Sequence, residues 1–158
     1  CTSKHAPILG VGPVPLREGL EGTSLVPVLR RPEMPAPHLK LAAFTQFPRC
    51  VQFKMEEDPA GWECVHVPRE NITRMGYSVR VAEARYTEWR VWNACRADWS
   101  HAGLVASELY DHKGDTGLGV ATYDDYEFEN VASEPARQSQ VKQLAALLMG
   151  HFSHNQGC

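Results

Sequence analysis

The segment Arg74–Trp92, RMGYSVRVAEARYTEWRVW, constrains the fold of this chain more than any other. Met75, Tyr77, Val79 and Val81 alternate with Gly76, Ser78, Arg80 and Ala82. A period of two puts one set on each face of a pleated strand, with the apolar set buried. Glu83 and Ala84 are read as the connection, and Arg85–Trp92 returns beside the first strand. The return strand carries large residues on both faces, Tyr86 and Trp92 on one, Trp89 and Val91 on the other. That pattern predicts a central strand covered on both sides, with cross-strand pairs supplying much of the local stability.

The flanking elements follow from their own patterns. Leu41–Phe47, LAAFTQF, reads as a strand that Pro48 stops. Leu104–Tyr110, LVASELY, is a further strand beside the hairpin. The last element is a helix. Ser133 is its expected N-cap, Pro135 sits in the first turn, Val141, Leu144, Leu147 and Leu148 recur at helical spacing, and Gly150 ends it. Residues 50–73 and 111–130 read as loops, the second with the acidic run YDDYEFEN.

The first 40 residues hold Pro7, Pro13, Pro15, Pro27, Pro32, Pro35 and Pro37, which leaves room for one short helix over Thr23–Arg30 with Leu25, Val28 and Leu29 as its apolar side. The expected fold class is therefore α+β: a small antiparallel sheet of three to four strands packed by a C-terminal helix. Residues 41–150 form that unit, 1–40 belong to something else, and 151–158 are a tail.

Composition bounds the function. With 43% hydrophobic and 22% charged residues, the 158-residue chain reads as a soluble globular domain. No run reaches the roughly 18 apolar residues of a membrane span. A net charge of −3 argues against a nucleic-acid partner. The start, CTSKHAPILG, has neither an initiator Met nor the apolar core of a signal peptide, and reads as an internal start in a longer or processed chain. Five cysteines, at 1, 50, 64, 95 and 158, show no CxxC spacing. Cys50 and Cys64 close a short loop as a disulfide if their Cα atoms come within about 7 Å; otherwise they are free thiols. Asn71-Ile72-Thr73 is an N-glycosylation triplet and points to the secretory route.

Five stretches, in order, carry a family resemblance: GLEGTSLVPVLRRP (19–32), AAFTQFPR (42–49), MGYSVRV with RYTEWRVW (75–92), ELYDH (108–112) and VKQLAALL (141–148). Together they resemble the C-terminal portion of a type I sulfatase of the iduronate-2-sulfatase-like branch. The resemblance implies an antiparallel sheet with a terminal helix, packed beside a large α/β domain that holds the metal and the nucleophile. The hairpin would be chiefly a brace, with a few side chains at its edge reaching the substrate pocket.

The resemblance also implies what lies elsewhere. Such enzymes use a formylglycine, made from Cys or Ser in a C/S-x-P-S/A-R motif, beside a calcium ion. None of the five cysteines has Pro at +2 and Arg at +4. Catalytic residues, formylglycine and calcium are thus assigned to a missing N-terminal domain, which is the expected partner. A sulfated saccharide is the expected substrate of the whole enzyme, and a secretory, lysosomal or extracellular setting its expected location.

Within this chain the resemblance singles out three residues for contact with substrate. Arg49 ends the TQFPR stretch and offers a rigid fork of donors to a carboxylate or sulfate, or to a structural ion pair between domains. His66 stands where iduronate-2-sulfatases have a lysine suited to a uronate carboxylate; a histidine is a weaker, pH-dependent cation. Trp62 walls the pocket or fills the core.

Four other groupings imitate sites. Ser133-Glu134-Pro135-Ala136-Arg137 fits the formylglycine core but reads as a helix start. Asp124-Asp125 reads as a solvated turn, His151 and His154 flank a helix end, and His101, His112 and Cys95 are scattered. Arg80 is expected to pair with an Asp or Glu. Two alternatives stand beside the sulfatase reading: a stand-alone module binding sulfated or acidic glycans without catalysis, and a fragment with no independent function. An exposed apolar strip on one sheet face favours a domain that packs on another; a closed polar face favours the stand-alone module.

Overall fold

A computed structural model describes residues 24–31, 40–50, 64, 67–115 and 126–153. The chain divides into two compact units, Cys1–Leu41 and Ala42–Cys158. In the first, helix α1 covers Val26–Arg30 with Pro27 in its first turn. It starts later than Thr23, and the Ser24 hydroxyl accepts the Val26 amide at 3.4 Å. Leu25 and Leu29 remain exposed, so the apolar side expected of this helix is not buried.

The second unit is a four-stranded antiparallel sheet packed by a C-terminal helix, an α+β arrangement. Strands β1 (Ala43–Arg49), β2 (Arg74–Val81), β3 (Ala84–Val91) and β4 (Leu104–Asp111) lie side by side in chain order. The hairpin turn is Ala82–Glu83, one residue earlier than expected. Ala84 pairs with Val81 and is buried, so it opens the return strand instead of bending the chain. Strand β1 runs through Pro48 to Arg49. It is an edge strand, and an edge is where a residue without an amide hydrogen is tolerated.

Helix α2 spans Gln138–Phe152, continuing a 3-10 turn at Pro135–Arg137. Neither terminus is where local signals put it. No side chain caps the start; instead the Gln138 side-chain amide donates to the carbonyls of Ala132 (2.9 Å) and Glu134 (3.2 Å). Gly150 does not end the helix, because the next two residues have partners. His151 stacks on Phe44 with centroids 3.8 Å apart, and Phe152 lies 4.7 Å from Tyr77. Tertiary packing thus carries the helix two residues into the segment read as a tail.

The core lies between sheet and helix. Tyr77, Val79, Tyr86 and Leu109 point to one face and meet Leu144 and Leu148 of α2. Leu147, expected in the apolar stripe, sits at its flank and is 42% exposed. A charged group shares this core. Arg90 Nε donates to Glu88 Oε2 at 2.6 Å, and the Tyr86 hydroxyl donates to Glu88 Oε1 at 2.8 Å. Arg90 also donates to the carbonyls of Asp98 and Ser100, both at 3.0 Å, and its guanidinium lies 4.7 Å from the Trp99 ring. Both charges are matched, which a buried pair requires. Burial pushes the Tyr77 hydroxyl up to about 12. Burial, and then the Glu88 carboxylate, raises Tyr86 as well.

The chain returning to the helix is fastened along the rim of β4. Asn130 accepts the Leu109 amide at 3.0 Å and donates to the Ser107 carbonyl at 3.1 Å. The Val131 amide donates to the Leu109 carbonyl at 2.9 Å. Among the described residues no helix is long and apolar enough to cross a membrane.

Candidate functional site on the sheet face opposite α2

Alternation that sends Tyr77, Val79 and Tyr86 inward sends their neighbours to the opposite face. Register then aligns them into rows. Thr45, Ser78, Thr87 and Glu108 form one; Phe47, Gly76, Trp89 and Ala106 form the next; Arg80, Arg85 and Tyr110 form a third toward the hairpin tip. Most of these line a shallow basin of about 250 Å³. Strand β3 is central, as expected, but on this face it is covered unevenly: Thr87 is buried and Trp89 part-buried, while Val91 is 43% exposed.

Trp89 is the centre of the basin. Its indole lies flat on Gly76, where a Cβ would come within 2.8 Å of a ring carbon. Glycine is needed here for closeness of approach, not for an unusual φ. The indole Nε1 donates to Glu108 Oε1 at 2.9 Å, and the Tyr110 hydroxyl donates to Glu108 Oε2 at 3.4 Å. Burial, and then Glu108, raises the Tyr110 hydroxyl above its ordinary value. The Arg49 guanidinium lies 5.5 Å from the indole centroid. Beside this plane, Thr87 donates to Ser78 at 3.0 Å and Ser78 to the Tyr86 carbonyl at 3.3 Å.

The hairpin tip is held by alternating charges. Arg85 donates to both oxygens of Glu127, at 2.7 and 2.8 Å. Glu127 and Asp115 lie 3.2 and 3.0 Å from the two ring nitrogens of the buried His112. Asp115 also pairs with Arg80 at 3.2 Å, and Arg80 donates to the carbonyls of Val81, Ala82 and Ala84 around the turn. Arg80 therefore has the acidic partner expected of it. An aromatic plane, hydroxyls and a guanidinium at the rim suit recognition: stacking, hydrogen bonding and attraction of an anion. Among the described residues no three His, Cys, Asp or Glu side chains come together as a metal site.

The singled-out residues are dispersed. Arg49 is exposed at the end of β1 and touches the Trp89 ring; among the described residues it meets no carboxylate. Trp62 and His66 lie outside the described residues. Cys50 and Cys64 are bonded, with Cα atoms 5.9 Å apart. That bond ties down the chain directly after Arg49. Cys95 is disulfide-bonded too. Asn71 is exposed in the 3-10 turn Arg69–Asn71.

The imitators have structural work. Pro135–Arg137 is the 3-10 entry to α2, and Arg137 pairs with Asp111. His151 stacks on Phe44, His101 opens a 3-10 turn before β4, and His112 belongs to the ion network. Asp124, Asp125 and His154 lie outside the described residues. Sequence reasoning missed the Trp89 platform. Its signal was the hairpin register, which sets a glycine opposite a tryptophan. No known family model matches the chain, and no curated protein is significantly similar to it.

Proposed function

We propose that this chain is the C-terminal part of a type I sulfatase, iduronate-2-sulfatase-like, and that it braces the catalytic domain and borders the substrate pocket. The carrying observation is the sheet face opposite α2. Among the described residues it presents Phe47, Trp89 and Val91 in an apolar strip, with Arg49 at the rim. A free-standing domain seldom leaves such a strip open. In this reading the missing N-terminal sulfatase domain covers the strip, and supplies formylglycine and calcium. The whole enzyme hydrolyses sulfate esters of saccharides, and Arg49 lies near enough to the contact to meet an anionic group of the substrate. The Cys50–Cys64 disulfide and the bonded Cys95 fit an oxidising, extracellular or lysosomal setting.

The test is reconstitution. The purified chain with an aryl sulfate and calcium is expected to release no sulfate above blank. A sulfatase large domain lacking its own C-terminal part should bind the chain, and Trp89→Ala with Phe47→Ser should weaken that binding. Turnover by the chain alone would refute the division of labour. A second reading rests on the Trp89 plane beside the hydroxyls of Thr45, Ser78 and Thr87, a surface that also suits a sugar ring. Direct binding of a sulfated glycan to the isolated chain, with no affinity for any large domain, would establish that reading instead.

A further inference from the structure

Asn71-Ile72-Thr73 is the one Asn-x-Ser/Thr triplet in the sequence. A triplet alone arises often by chance, but its setting here is specific. Asn71 ends the turn Arg69–Asn71, and Ile72 leaves it extended, with φ −79° and ψ 113°. Ile72 packs partly against the core, while Asn71 and Thr73 on either side of it are both exposed. An extended central residue sends its two neighbours to the same side. The amide and the hydroxyl that a glycosyltransferase must read together are therefore both presented outward. The backbone beneath them is fixed: the Trp92 amide donates to the Thr73 carbonyl at 2.8 Å, and the Asn71 amide to the Pro68 carbonyl at 2.8 Å. Arg69 lies over the Trp92 ring at 5.5 Å, which holds the start of the turn against the sheet and leaves its end free.

A second, independent observation bears on the compartment. Cys50–Cys64 is bonded, and Cys95 is bonded as well. Disulfides of this kind form in the oxidising secretory route, where N-glycosylation occurs.

We propose that Asn71 is a modification site carrying an N-linked glycan. The donor is an oligosaccharide on a lipid diphosphate. Asn71 Nδ2 forms a bond to the anomeric carbon, the carbon–oxygen bond to the diphosphate breaks, the lipid diphosphate leaves with that electron pair, and the amide loses a proton. The inference stands apart from the sulfatase reading, since it needs only the turn and the compartment. It also assigns a surface: the end of the sheet at Trp92 and Thr73 faces solvent in the mature protein, because a glycan cannot be buried in a protein contact.

The full chain is expressed behind a secretion leader in animal cells, and its intact mass is read before and after peptide-N-glycosidase, on secreted and membrane-retained material alike. A ladder of glycoforms that collapses to one species, with Asn71 converted to Asp, is expected. Asn71→Gln and Thr73→Ala should abolish the ladder, and Thr73→Ser should keep it. Chain that has formed the Cys50–Cys64 bond yet has the bare polypeptide mass would overturn the proposal. So would a ladder that survives Asn71→Gln.

Discussion

The two faces of the sheet come from the same four strands and do different work. On the helix side, Tyr77, Val79, Tyr86 and Leu109 are almost wholly buried, and even the charges, Glu88 and Arg90, are enclosed and matched. On the other side Gly76, Ser78 and Thr87 are buried, but Trp89 and Tyr110 are part-exposed and Phe47, Arg49 and Val91 exposed, and the basin is lined by an indole, hydroxyls and a carboxylate with a guanidinium at its rim. Free energy of folding is concentrated on the first face, and chemical variety on the second. A face that contributes little to its own stability can be shaped by a partner, so the contrast locates where function is to be sought.

The largest predicted effect tests how far the covered face depends on its matched charges. Glu88→Ala leaves Arg90 charged and buried without a partner, and should cost about 3–5 kcal/mol in urea unfolding. Replacing both residues by Met should recover most of that loss; failure to recover would mean the pair fixes the loop at Asp98–Ser100 as well. Leu148→Ala, at a fully buried position of α2, should cost about 2–5 kcal/mol by the same measurement.

Gly76→Val probes the boundary between the faces. It places carbon where the Trp89 ring lies, should cost about 1–3 kcal/mol, and should shift tryptophan emission as the indole is lifted from the sheet. An unchanged spectrum would show that the platform is not built on the glycine.

Smaller still is the effect at Asp111. The Lys113 amide and the Arg137 guanidinium hold its carboxyl below the ordinary value of 3.8. Below that value the unfolded chain takes up a proton that the folded chain still refuses. The contribution is therefore complete above the ordinary value and is lost as pH falls through the lower, folded one. Asp111→Asn should lower stability at neutral pH by under about 1 kcal/mol, since the pair is part-exposed, and should flatten the acid limb of a urea-midpoint titration. On the open face, Arg49→Ala should change stability by no more than about 0.5 kcal/mol. If it unfolds the chain, the comparison between the faces is wrong.

What was legible in the sequence follows the same division. The hairpin and its inward set could be read because alternation is a local property, and β3 and β4 were placed to within a residue. The termini of α2 could not: at its start the Gln138 side chain, bonded to Ala132 and Glu134, takes the place of a Ser133 cap, and at its end His151 and Phe152 carry the helix past Gly150 through contacts with the distant Phe44 and Tyr77. Pro48 misled in the same way, since an edge strand tolerates what an interior one does not. The charged chain from Arg80 to Arg85 through Asp115, His112 and Glu127 was invisible, because it joins the hairpin to residues 35 and 42 positions away only after folding. Among the singled-out residues, Arg49 reached the rim of the platform, but its contact with Trp89 was not foreseen.

Asn130 has a consequence beyond fastening the return to α2. By occupying the amide of Leu109 and the carbonyl of Ser107, with Val131 taking the Leu109 carbonyl, it closes a rim that would otherwise template the growth of another strand. At Ser107–Leu109 the β4 edge therefore offers no free groups on which a further strand could pair. Recruitment by strand addition is shut off at that stretch of β4, and a companion protein meeting it must approach broadside.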